Sequence, residues 1–340
     1  MVQKLLIVFL MFLAINARAQ TGLPQNGPVD PDFSRVDQLS LSYLSQLGLP
    51  GMTVAIGVND RVVYVQSYGW ANREASDPAT PFLEYRIASL SKTLTAYAVM
   101  RLVEAGRIDL DVPALPYLGN VVTSPPVDSR LAQVTVRQLL LHTWGRDKNQ
   151  PDDPIGDSSF IDSGRTYITC RDELSVLYKL RLNFTPGSRY AYNNIGPCWL
   201  GVIAEIVDGR PLAQQLTELL GPEALSTGQV RVGSIDPATI PLSEPRYYDL
   251  PGAPQVPPQP GAYSQPPALV PRQYGGDFTL VSSGGSGGFV TSITTYMRFL
   301  QRLTGARSPA LLQPATVQSM ITPAVIPDGT AGIGSDPLIY

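Results

Sequence analysis

The spacing of apolar side chains divides the chain into helical and extended stretches. Val36, Leu39, Leu41, Leu44 and Leu47 recur along one helix face, which predicts a helix over residues 33–47. Residues 52–58 and 61–68 are β-branched and apolar runs parted by Asn59-Asp60, a hairpin signal. Residues 87–105 return to a helical pattern, with Gly106 as its C-terminal stop. Thr135 opens a short helix over 134–142. Two more, at 170–180 and 199–207, flank the Pro186-Gly187 turn. Pro211 begins another that ends near Gly221, and residues 293–303 form the last. Between them, residues 251–271 hold eight prolines and read as a loop or insertion without its own core.

This order, a helix, a hairpin and then a long mostly helical stretch, predicts an α+β fold: an antiparallel sheet flanked by helices, plus a helical lobe. A lone hairpin is marginal, so further strands are expected near the C-terminus. Beyond residue 320 the sequence is rich in Pro, Gly and Asp and offers none.

The first residues bear on compartment. Lys4 precedes an eleven-residue apolar run, Leu5 to Ile15, and Ala17-Arg18-Ala19 has the form of a signal-peptidase site. The run is too short for a lasting membrane anchor. Residues 1–19 are therefore expected to be a signal peptide, and 20–32, rich in Pro, Gly and Asn, a flexible leader. The remainder, 33–340, is expected to be one domain, exported to the periplasm or the extracellular space. Removing Lys4 and Arg18 takes the net charge from −3 to −5, with no basic run, which argues against nucleic acid as a partner. Two cysteines and one histidine, Cys170, Cys198 and His142, are too dispersed for a zinc site, and neither metal nor cofactor is expected. In an oxidising compartment Cys170 and Cys198 can pair, closing a loop whose entropy is worth roughly 3 kcal/mol. Two buried thiols are the alternative, and export favours the pair.

Candidate chemistry centres on Ser89-Leu90-Ser91-Lys92. At a spacing of three, Ser89 and Lys92 lie one turn apart on one helix face, and the helix start favours developing negative charge. A serine hydroxyl needs a base within reach, and lysine serves only if desolvation leaves it partly neutral. Tyr192 and Asn194, two apart on a loop or extended segment, point the same way and offer a phenol and an amide to a common cleft. Gly284-Gly285-Ser286-Gly287-Gly288 satisfies Gly-x-Ser-x-Gly, but that hydrolase class requires a histidine after the serine and none follows residue 142.

The stretch from Phe184 to Gly196 resembles the Tyr-x-Asn segment of class C β-lactamase-like and penicillin-binding-protein-like serine hydrolases, and Ile87 to Thr93 resembles their nucleophile motif. Residues 102–111, 136–145 and 287–292 resemble later family segments in order, with Trp144 replacing the usual serine after His-Thr. The resemblance implies a β-lactamase/transpeptidase-like fold with the active site between sheet and helical lobe. It implies that Ser89 is acylated, that Lys92 and Tyr192 share proton transfer, and that Asn194 orients a small-molecule or peptide substrate. His142 is expected to be structural. The implied activity is hydrolysis of an ester, β-lactam or D-amino-acid peptide bond. No Lys-Thr-Gly or His-x-Gly strand follows Ser292, so the last sheet strands are expected to be lacking. The chain is accordingly expected to be a poor or incomplete enzyme. The alternative is a degenerate relative that binds peptidoglycan-like ligands without catalysis.

Overall fold

The computed structural model describes residues 23–147, 169–175, 177–221, 230–259, 262–276 and 280–327. The expected signal peptide and residues 328–340 lie outside the described residues. Among the described residues no helix is long and apolar enough to cross a membrane. The elements form two compact units.

The first unit is built on the hairpin. Strand β2 (Gly51–Val58) pairs antiparallel with β3 (Arg61–Asn72) around Asn59, whose φ of 54° suits its place in the turn. A register shift at Ile56/Gly57 bends β2 where Met297 approaches Gly57, leaving no room for a side chain there. β1 (Gln25–Asn26) adds to the other edge of β3, giving the order β1-β3-β2, and β4 (Asp77–Pro78) pairs with the end of β3. The expected flexible leader thus contributes two residues to the sheet, because Gln25 and Asn26 find unsatisfied backbone groups opposite Tyr68 and Ser67. Helix α1 (Ser34–Leu47) follows the predicted periodicity and ends at Gly48 in the left-handed region. Asp37 on α1 accepts hydrogen bonds from Tyr64 and Tyr68, each at 2.6 Å, fastening the helix to β3.

The second unit is mainly helical. α2 (Ser91–Glu104) and α5 (Ile195–Asp208) are buried over most of their length and pack on each other. α3 (Val136–Leu140) starts at Thr135, which with Gln138 forms a capping box. α4 (Cys170–Ser175) is shorter than expected, and α6 (Leu212–Leu220) lies between Pro211 and Gly221 as predicted. α5 starts four residues before the apolar run that marked it. Gly196 and Pro197 fall in its first turn, where a missing N–H costs nothing.

Apart from the extended run at 84–87 before Ser89, which reads as strand-like, the periodicity did not predict a second, small sheet or a helix in the glycine-rich stretch. A small sheet of order β5-β7-β6 joins Glu84–Arg86, Phe289–Ser292 and Arg231–Val232. The glycine-rich stretch forms α7 (Leu280–Gly287), kinked at Gly284. α8 (Ile293–Leu303), in the first unit, matches its predicted bounds, and α9 (Pro314–Ile321) lies in a stretch for which no element was predicted. Among its described residues the proline-rich loop is irregular apart from one bridge, Val256 to Val270. It is tied down at its ends, where Asp249 accepts from the backbone of Arg272 and Gln273. Tyr247 lies under the guanidinium of Arg86, 3.9 Å from ring centre to Cζ.

Candidate active site

Every residue singled out for chemistry lies in the second unit. β5 leads into the site, and the chain turns sharply at Ala88, whose φ of 45° is unusual for a residue with a side chain. That turn places Ser89 in a short 3-10 segment, Ala88–Leu90, immediately before α2. β7 fixes the turn from the side: Ile87 N–H donates to Phe289 O at 3.0 Å, and Phe289 N–H donates to Ser91 Oγ at 3.2 Å. Ser89 is exposed, while Lys92, one turn deeper, is only 3% exposed.

Around Ser89 the separated sequence motifs converge. Its Oγ lies 2.6 Å from Tyr192 Oη and 3.1 Å from Lys92 Nζ. Lys92 Nζ also donates to Asn194 Oδ1 at 2.9 Å and to the backbone carbonyl of Ser286 at 2.7 Å. Burial pushes the Tyr192 phenol above its usual range, and its hydrogen bond with Ser89 pulls the other way. Lys92 Nζ sits 4.7 Å from the centre of the Tyr192 ring.

Behind Tyr192 stands His142, its ring 4.8 Å from the tyrosine ring and tilted by 30°. Burial foremost, then the nearby Lys92 ammonium, lowers His142 from 6.5 to about 3. Neutral His142 accepts a long hydrogen bond from Asn193 N–H at Nδ1, and its own carbonyl accepts from Ala191 N–H at 2.9 Å. Its place is that of a support for the Tyr192 segment. The sign of its pH linkage follows. A lowered folded value means that the unfolded chain takes up the proton first. His142 therefore contributes stability fully above 6.5 and loses it as pH falls towards 3. Urea unfolding below pH 6 should show this as a slope of about 1.4 kcal/mol per pH unit that His142→Gln lacks. Identical pH profiles for the two proteins would contradict it.

Trp144, the departure from the family pattern, is fully buried and donates from Nε1 to Asn193 Oδ1 at 2.9 Å. The same oxygen accepts from Gly196 N–H at 2.9 Å, so Asn193 joins Trp144 to the first turn of α5. A side chain at Gly196 would begin 2.9 Å from Trp144 Nε1, so tryptophan and glycine require each other. Asn193 lies between Tyr192 and Asn194, and this anchor sets the direction of both. Trp144→Phe, which leaves Asn193 Oδ1 short of a donor in a buried place, should cost about 1–3 kcal/mol by urea unfolding. A loss below a few tenths would show the bond to be dispensable.

The residues missed in sequence reading act through backbone or packing. Ser286, set aside as a nucleophile, takes part by its carbonyl, while its hydroxyl donates to Ser283 O at 2.6 Å. Thr95, one turn beyond Lys92, donates to Gly285 O at 2.7 Å. Nothing in residue type marks a carbonyl acceptor. Cys170 and Cys198 are joined in a disulfide with their Cα atoms 5.4 Å apart.

An α+β fold with a serine in the turn before a buried helix and a lysine in that helix's first turn, faced by a Tyr-x-Asn loop, defines the β-lactamase/transpeptidase-like class. The chain belongs to the β-lactamase family, whose family model matches residues 35–335. It is 30% identical to esterase EstB of Burkholderia gladioli over 198 residues, 55% of this chain and 48% of the esterase. The match thus spans about half the length of that relative. In fold it is similar to EstCE1, a hydrolase with promiscuous acyltransferase activity, at TM-score 0.63 and 23% identity, covering 89% of this chain and 78% of that one. It is also similar to the D-amino acid amidase of Ochrobactrum anthropi, at TM-score 0.62 and 22% identity, covering 86% and 77%.

Proposed function

We propose that the protein is an exported serine hydrolase that works through an acyl-enzyme at Ser89, on an ester, a β-lactam or a D-amino-acid peptide bond. The observation that carries this reading is the position of Ser89 Oγ, exposed yet within 2.6 Å of a phenol and 3.1 Å of a buried amine nitrogen. A nucleophile needs access from solvent and a base beside it, and both conditions hold here.

In the first step the Ser89 proton passes to the deprotonated form of Lys92 while Oγ bonds to the carbonyl carbon and the C=O π pair moves to oxygen. Burial favours the neutral phenol at Tyr192, which suits it to donate rather than to accept at the outset. The ammonium formed on Lys92 is stabilised by Asn194 Oδ1 and Ser286 O. Negative charge on the substrate oxygen gathers near the N-terminal end of α2, with the Ser89 N–H as one donor. Tyr192 passes its proton to the leaving group and regains one from Lys92. Water then repeats the sequence on the acyl-enzyme, restoring Ser89 and releasing the acid. The names of the relatives, an esterase and an amidase, support carbonyl substrates of this kind.

A fluorophosphonate probe, followed by peptide mapping, is the direct test, with label expected on Ser89. Absence of label, or label elsewhere, would reject the mechanism. A panel of nitrophenyl acetate, a chromogenic cephalosporin and a D-alanyl-D-alanine peptide then separates the substrate classes. Export is tested by the N-terminal sequence of protein recovered outside the cytoplasm, expected to begin at Gln20. An intact N-terminus would exclude cleavage at that site.

A further inference from the structure

We propose that the Cys170–Cys198 disulfide is a positioning device for Lys92: it ties α5, beside Asn194, to α4, whose Cys170 sulfur packs against the Gly284 kink ahead of Ser286, and opening it slows acylation. The inference rests on the reading of Ser89 and Lys92 as the acylating pair.

Cys198 lies in the first turn of α5, four residues after Asn194. Its N–H donates to Asn194 O at 3.1 Å, while Asn194 Oδ1 accepts from Lys92 at 2.9 Å. The bond therefore grips α5 one turn from one of the lysine's acceptors. At its other end Cys170 Sγ lies against Gly284, where a Cβ would come within 2.8 Å of the sulfur. Gly284 has φ 38° and breaks the helical path of α7, two residues before Ser286, whose carbonyl is the lysine's second backbone-fixed acceptor.

The intervening Gly285 is held equally closely. Its carbonyl accepts from Thr95 Oγ1 at 2.7 Å, and a side chain at position 285 would begin 2.7 Å from that oxygen. Gly201 of α5 also approaches this segment, since a Cβ there would lie 3.6 Å from Gly285 Cα. The glycine stretch is thus clasped between α2, α5 and the sulfur of Cys170. The bond thus bears on one lysine-holding segment directly, through Cys198, and on the other through the packing of Cys170 Sγ on Gly284, and both cysteines are buried. Without it, α4 is joined to α5 by packing alone at this point, and the sulfur that packs against Gly284 is no longer held in place from α5.

A disulfide that only staples the fold and one that positions a base differ in what they change. The first alters unfolding; the second also alters the acylation step and its pH dependence. The test uses the full chain with its disulfide intact and first measures fluorophosphonate labelling of Ser89. A folded, oxidised protein that does not label refutes the acyl-enzyme reading itself, before the disulfide is touched. With labelling established, the double variant C170A/C198A is compared by single-turnover reaction with nitrophenyl acetate. The comparison is made well below its own unfolding temperature, with circular dichroism recording the fold.

Acylation should slow about ten- to a hundredfold, the scale set by an ångström of misplacement, with substrate affinity nearly unchanged and the pH midpoint of acylation displaced. Reduced wild type should behave in the same way and recover on reoxidation. Gly284→Ala keeps both cysteines but crowds Cys170 Sγ, and should slow the same step. A folded C170A/C198A protein with the wild-type acylation rate and pH midpoint would overturn the proposal, as would unaltered acylation in Gly284→Ala. A double variant that fails to fold overturns it too, since the bond would then be a staple of the whole unit.

Discussion

Ser89→Ala is expected to lower acylation by on the order of 10⁴-fold or more, down to the background of the remaining site. The size of the effect follows from covalency, since Ser89 Oγ is the atom that would carry the acyl group beside both Lys92 and Tyr192. Ser286 is the obvious stand-in from the sequence, but its hydroxyl is buried and donates to Ser283 O at 2.6 Å. Ser91 is equally occupied, accepting from Phe289 N–H at 3.2 Å. Because Ser89 is exposed, its replacement should leave unfolding by urea within about 0.5 kcal/mol of wild type. Burst-phase release of nitrophenol reads the acylation directly. A burst that persists in Ser89→Ala would remove this residue from the mechanism.

Lys92→Arg should cost nearly as much, on the order of 10³-fold in acylation, although it retains the charge. A guanidinium stays protonated throughout the working pH range and cannot take the serine proton. It is also the wrong shape. The three acceptors, at 2.7 to 3.1 Å, converge on one nitrogen in a place only 3% exposed, and a planar fork does not fit there without displacing Asn194 or Ser286. Tyr192→Phe supplies the comparison that assigns the base. If Lys92 takes the proton and Tyr192 passes one to the leaving group, Phe should slow substrates with poor leaving groups more than activated esters. Lys92→Arg should slow both. An arginine variant with unimpaired acylation, paired with a Phe variant dead towards every substrate, would move the base to Tyr192.

Those two residues show what is local and what is not. Ser89 and Lys92 are three apart across the 3-10 turn that leads into α2, so their proximity follows from local helical geometry and was legible in the sequence, as were α1, the hairpin at Asn59-Asp60 and α8. Tyr192 and Asn194 could be seen to point one way, but that they meet Ser89 at 2.6 Å and Lys92 at 2.9 Å depends on α5 packing against α2. The Asn193–Trp144–Gly196 junction belongs to the same category. Trp144 was visible only as an oddity in the motif, and its meaning came from a hydrogen bond across 49 residues.

What local pattern did not determine has a common cause. The strands of the β5-β7-β6 sheet are two to four residues long, too short for alternation to register, and they exist because a partner completes their hydrogen bonds. α7 is built from a glycine-rich run with poor helix propensity, and close approach to α2, α5 and Cys170 holds it in place. The carbonyls of Gly285 and Ser286 serve the site through atoms that every residue possesses, so no residue type could announce them. Sequence by itself determined the candidate pair Ser89 and Lys92 and the helix start that presents them, since these depend on neighbours within a turn. Tertiary structure decided which backbone atoms hold Lys92 and how the two cysteines bear on it, since these depend on contacts that only packing brings within ångströms.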